Sequence, residues 1–151
     1  MVGRILSLYV GNMASHKTTD FIENVRVLRS FGKKKVLVLK PKKDTRSPKG
    51  QIKSWDRKSM EAEEVSENNL LEVLDILNSE ERKLGRKLDV IAFSEIQFYE
   101  NDHLCFYQLI QHLLECGYDI IAEGLNMNFR GEPFVSTSFI IALAGEVCRW
   151  R

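Results

Sequence analysis

The amino-acid sequence predicts an α/β fold, a mostly parallel sheet with helices on both faces. Three observations predict it. Short apolar runs of strand length alternate with longer segments whose apolar residues recur at helical spacing. Glycines stand where the helical segments should stop, at Gly32, Gly85 and Gly117. The polar, chemistry-bearing segments follow strand ends, at Gly11–Thr18, Asp44–Arg46, Ser94–Phe98 and Asn126–Phe134. In parallel sheets ligands collect at the carboxyl ends of the strands.

Taken in order, Ile5 to Val10 reads as the first strand. Phe21, Ile22, Val25 and Leu28 then mark a helix face, and Val36–Leu39 a buried second strand. Residues 41–66 are polar, carry Pro41, Pro48 and Gly50, and read as a long excursion given to function or mobility. Leu70, Leu71, Leu74 and Leu77 form the next helix face, and Val90–Phe93 the third strand. Phe106, Ile110, Leu113 and Leu114 line another helix, and Ile120–Ala122 is the fourth strand. Residues 136–145 read as a short helix, and Val147–Arg151 as a final strand.

Composition narrows the class. A chain of 151 residues with 44% hydrophobic content is long enough for one ordinary domain with a real core. A net charge of +1 gives no field to draw nucleic acid or an anionic membrane. The local basic stretches Lys33–Lys35 and Lys40–Lys43 flank a strand and read as solvated strand ends. Cys105, Cys116 and Cys148 are odd in number and widely spaced, so neither a disulfide framework nor a zinc ribbon is implied. No signal peptide, spanning segment, repeat or low-complexity tract is visible, and the expectation is a soluble, reduced, cytoplasmic protein.

The segment Gly11-Asn12-Met13-Ala14-Ser15-His16-Lys17-Thr18 falls between the first strand and the first helix. A phosphate-binding loop sits there, its backbone N–H groups aimed at the anion and the helix dipole behind it. Lys17 would reach the β- and γ-phosphates, and the Thr18 hydroxyl would coordinate magnesium. Gly11, Lys17 and Thr18 are in register with G-x-x-x-x-G-K-[ST], while His16 stands at the second glycine. The plain alternative is a turn that happens to contain Lys-Thr. With the loop, the predicted class becomes a P-loop NTPase-like fold.

The strand-end segments together resemble thymidine kinases of the family shared by bacteria, animals and large DNA viruses. Gly124-Leu-Asn-Met-Asn-Phe-Arg-Gly-Glu-Pro-Phe134 is similar to the family's G-L-D-x-D-F-R-G-x-P-F, with asparagine at both aspartate positions. Ser94-Glu-Ile-Gln-Phe98 resembles D-E-x-Q-F, with serine for aspartate. Asp44-Thr-Arg46 resembles D-T-R, Asp56-Arg57 with Met60-Glu61-Ala62 resembles D-R…M-E-A, and the loop resembles G-x-M-x-S-G-K-[ST]. These pieces occur in the family's order from residue 4 to about residue 147.

The resemblance implies transfer of the ATP γ-phosphate to the 5′-hydroxyl of deoxythymidine, with magnesium. It makes Glu95 the catalytic base and Arg46 the guanidinium beside the transferring phosphoryl group. Asp44 would orient the same loop. Met13, Phe98, Leu125 and Phe129 would enclose the base, for which core packing is the plain alternative.

The departures carry expectations of their own. Ser94 stands where a carboxylate would hold magnesium through its water shell, and a lost outer partner typically lowers metal affinity or activity about 10–100-fold. His16 adds bulk where glycine lets the backbone close on phosphate. Asn126 and Asn128 keep the shape of aspartate without its charge. The chain reaches Cys148-Arg-Trp-Arg151 about where the family's zinc-bearing lasso would begin, so the expectation is a single domain over residues 1–151 without structural zinc or lid. A homo-oligomer or a lid-supplying partner would then cover the nucleoside. Two functions stay open: a minimal thymidine kinase, or a non-catalytic nucleotide-binding or protein-interaction module.

Overall fold

The computed structural model describes residues 2–11, 17–44, 47–54, 56, 58–144 and the backbone of 147–150. The elements run β1 (Ile5–Gly11), α1 (Lys17–Ser30), β2 (Val36–Pro41), β3 (Gln51–Lys53), β4 (Ser59–Glu61) and β5 (Glu63–Val65). After them come α2 (Glu72–Leu84), β6 (Val90–Phe93), a 3-10 helix (Ile96–Asp102), α3 (His103–Glu115), β7 (Asp119–Leu125), α4 (Val135–Leu143) and β8 (Val147–Trp150). The main sheet has six strands in the order β5-β2-β6-β7-β1-β8, and every neighbouring pair is parallel.

Strands covered on both faces read as unbroken apolar runs. That is the case for β2 and β6, whose residues are all buried. Alternate side chains then point to opposite faces. Leu37, Leu39, Ile91, Phe93, Ile120 and Ala122 face one core, closed by Val73 and Leu77 of α2, Phe106, Leu109, Ile110 and Leu113 of α3, and Ile140 of α4. Val36, Val38, Val90, Ala92 and Ile121 face the other, closed by Phe21, Ile22 and Val25 of α1. The helices therefore lie on both faces, as the alternation predicts. Phe106 anchors the first core, edge-on to Phe93 at 5.8 Å between ring centroids and stacked on Tyr99 at 5.0 Å.

The stop signal at Gly85 operates as read. Its backbone is left-handed, φ 69°, and its N–H donates to the Glu81 carbonyl at 2.9 Å. Residues 41–66 hold more structure than their composition suggests. β3 and β4 form an antiparallel hairpin, and β5 joins the main sheet beside β2. Strands of three residues are too short to display a period. The segment is pinned by Lys40, fully buried, whose Nζ donates to the Pro48 and Gln51 carbonyls at 3.2 and 2.9 Å. Ile52 and Met60 of the hairpin complete the α1-side core. Its turn reaches α1 through Thr19 Oγ1, which donates to Asp56 at 2.9 Å. No helix among the described residues is long and apolar enough to cross a membrane.

Candidate active site

β6, β7 and β1 are consecutive in the sheet, so their carboxyl ends bring three separate stretches of sequence to one place. At the centre is Glu123, fully buried near the end of β7. One carboxylate oxygen, Oε1, lies 3.7 Å from Lys17 Nζ and accepts the Thr18 hydroxyl at 3.3 Å. The other, Oε2, accepts the Ser94 hydroxyl at 2.6 Å and the Glu95 N–H at 2.9 Å. Burial, and after it the neighbouring charge of Glu95, pushes the Glu123 carboxyl up to about 7, while Lys17 and the bonds from Ser94 and Glu95 pull the other way.

Glu95 is buried and takes left-handed backbone angles, φ 54° and ψ 52°, at the start of the 3-10 helix. Its carboxylate accepts a hydrogen bond from the Gln97 side-chain amide, whose own oxygen accepts the Leu125 N–H at 3.0 Å. Gln97 thus ties the Glu95 turn to the exit of β7. Gly124 permits the approach: a Cβ there would stand 2.6 Å from Ile96 Cγ1 and 2.9 Å from Gln97 Oε1. The first turn of α4 closes the frame. Ser136 Oγ donates to the Ile96 carbonyl at 3.2 Å and Thr137 Oγ1 to the Leu125 carbonyl at 2.8 Å.

Of the residues singled out in the sequence, Lys17, Thr18, Ser94 and Glu95 come together around Glu123. Gly11 is buried at the end of β1, and Asp44 is buried just past β2, on the neighbouring strand end to β6. Phe98 and Leu125 are half-buried beside Gln97: Leu125 through the bond above, and Phe98 by chain position, its N–H donating to the Glu95 carbonyl at 3.2 Å. Phe129 stands apart, 93% exposed on the loop after β7, with the Arg130 guanidinium 5.4 Å from its ring centroid. Asn12, Met13, Ala14, Ser15, His16 and Arg46 lie outside the described residues. Asn128 shapes its loop, its side-chain oxygen accepting the Arg130 and Glu132 N–H groups at 2.9 and 3.0 Å. An aspartate would make the same two bonds, which is why the missing charge leaves this turn intact.

Sequence reasoning missed Glu123 and the bridging role of Gln97. The signal for Glu123 was a carboxylate directly after Ile120-Ile121-Ala122, a charge on a strand otherwise buried on both faces. The donors here are two hydroxyls and a carboxylate, hard oxygen ligands that suit magnesium and its water shell. Among the described residues no group of three or more His, Cys, Asp and Glu side chains is placed to hold a metal ion.

The family model described as thymidine kinase matches residues 4–150. A thymidine kinase of Pseudothermotoga lettingae is 30% identical over 149 residues, covering 99% of this chain and 73% of that protein. Among solved structures, domain III of the Thermotoga maritima replication initiation protein DnaA superposes with a TM-score of 0.50 at 15% identity. That alignment covers 99% of this chain but 56% of the DnaA chain, and it bears on the fold alone.

Proposed function

Because this chain belongs to the thymidine kinase family, we propose that it moves the γ-phosphoryl group of ATP to the 5′-hydroxyl of deoxythymidine. The observation that carries this reading is the convergence of Lys17, Thr18, Ser94 and Glu95 on one buried carboxylate at the sheet's carboxyl edge. Phosphoryl transfer asks a protein mainly for positioning and for charge complementary to the phosphates. Lys17 and the N-terminus of α1, a helix of 14 residues, supply positive potential for the β- and γ-phosphates. The Thr18 hydroxyl would hold magnesium, and the Ser94 hydroxyl would orient a water bound to it. Magnesium, when bound, neutralises charge on the phosphate oxygens.

Glu95 takes the hydroxyl proton as the 5′-oxygen attacks phosphorus and ADP departs. Its backbone turn, its Gln97 contact and its N–H bond to Glu123 hold the carboxylate in one orientation. Arg46 offsets charge on the transferring group, and Gly11 through His16 cradle the phosphates. Asp44 orients the Arg46 segment, while Met13, Phe98, Leu125 and Phe129 contact the nucleoside.

One observation favours a second reading, a nucleotide-binding module without turnover. Lys17 is 3% exposed and its charge is already engaged by Glu123. The two readings separate when the protein is incubated with labelled ATP, magnesium and thymidine. Thymidine monophosphate forms under the first, and ATP binds without product under the second. Glu95→Gln should lower turnover by about 100-fold or more while ATP affinity stays within about twofold. Undiminished turnover in that variant would remove Glu95 from the role of base.

A further inference from the structure

We propose that Glu123 is the carboxylate that positions magnesium on the nucleotide phosphates in this chain, a task carried one strand sideways from the end of β6 to the end of β7. The inference rests on the phosphotransfer reading above. β6 and β7 pair in parallel register with Phe93 opposite Ala122, so Ser94 and Glu123 are the next residues along adjacent strands. A serine hydroxyl alone brings no charge to a divalent cation. Here, however, it donates its proton to Glu123 Oε2 at 2.6 Å, which leaves the lone pairs of Ser94 Oγ to accept from a metal-bound water.

Thr18 repeats the arrangement on the other oxygen. Its hydroxyl donates to Glu123 Oε1 at 3.3 Å, leaving its own lone pairs for the cation. One buried carboxylate therefore fixes the proton direction of both hydroxyls and adds the negative charge that neither has. The lateral step between strands is roughly 4.8 Å, and a glutamate has the reach to span it. A structural role explains less. The buried ion pair with Lys17 at 3.7 Å accounts for one oxygen alone, and a neutral glutamine would accept the Ser94 and Glu95 bonds on the other equally well.

Glu123 is thus a positioning residue, and its test needs a readout that packing would not move. The full chain is titrated with ADP in chelator and in magnesium, and with manganese in the presence of ADP, bound manganese being read by electron paramagnetic resonance. Glu123→Gln should keep ADP affinity in chelator within about threefold or tighten it, and weaken manganese binding to the ADP complex by about 10–100-fold. A Ser94→Asp, Glu123→Ala double variant returns the carboxylate to β6 and should recover most of that loss. The double variant carries the test alone if Glu123→Gln fails to fold, and weak manganese binding in it overturns the proposal. Unchanged manganese affinity in Glu123→Gln overturns it as well. With ADP tightened equally in metal and chelator, that result would make Glu123 a lock on Lys17. Failure of the unmodified protein to bind ADP at all would bring down the phosphotransfer reading itself and this assignment with it.

Discussion

At the scale of single residues, the site depends on two neighbours that tolerate little change. Glu95 holds a left-handed backbone, which costs an L-residue about 1–2 kcal/mol. The conformation persists because Glu123 accepts the Glu95 N–H and Gln97 grips its carboxylate. Gly124 is the other. It lies against Ile96 and Gln97, and Ile96 is fully buried with nowhere to move. A Cβ at 2.6 Å from Ile96 Cγ1 and 3.2 Å from the Ile96 nitrogen must displace the Glu95 turn as a unit. Overpacking of this kind destabilises by about 1–3 kcal/mol. Gly124→Ala should therefore lower unfolding free energy by that amount in urea titration. It should also expose the Leu125 amide, now bonded to Gln97, to faster hydrogen exchange. Wild-type stability with unchanged Leu125 protection would show that the two segments are not packed as described.

Among the elements, α4 depends most on another part of the chain. Its N-cap position is Phe134, which offers no side-chain acceptor, so its first N–H groups must be satisfied elsewhere. Glu100, from the 3-10 helix, supplies both oxygens, accepting the Val135 N–H at 2.8 Å and the Ser136 N–H at 2.9 Å. A carboxylate also complements the helix dipole there. Glu100→Ala should cost about 1–2 kcal/mol and loosen α4 first, seen as early loss of amide protection over residues 138–143. Retention of that protection would mean that Ser136 and Thr137 hold the helix without the cap. The elements themselves were legible to the degree that they carry a period. Val36–Leu39, Val90–Phe93 and the faces of α1 and α3 announce themselves through apolar spacing. The face read for α2 is only partly right: Leu70 and Leu71 precede the helix and Leu71 is 61% exposed, while Val73 joins Leu77 in the core, because the helix starts only at Glu72. The short strands β3, β4 and β5 do not, because pairing and the buried Lys40 define them more than their own residues do. The 3-10 helix was hidden for a related reason: its start is set by the Glu95 backbone angles and not by an apolar repeat.

Across the whole molecule, the candidate site was legible one strand end at a time, and its centre was not. Lys17, Thr18, Ser94 and Glu95 each follow a recognisable strand, whereas Glu123 acquires meaning only when β7 is placed between β6 and β1. That same position makes Glu123 a lever on global stability. Its carboxyl is pushed up to about 7 from an ordinary 4.5, first by burial and then by the charge of Glu95, with Lys17 opposing. The unfolded chain releases this proton near the ordinary value, so between the two values the metal-free folded state holds a proton that the unfolded state lacks and that a bound cation would displace. Folding stability from this group is fully present below 4.5 and is lost as pH rises through about 7. The effect is on the order of 3 kcal/mol for one carboxyl shifted that far. In chelator, the urea midpoint should fall as pH is raised from about 5 to about 8, and Glu123→Gln, which has no proton to lose, should flatten that slope. The variant should gain on the unmodified protein at the alkaline end. Parallel curves would mean that Glu123 is ionised throughout the range, with Lys17 and the two donors outweighing its burial.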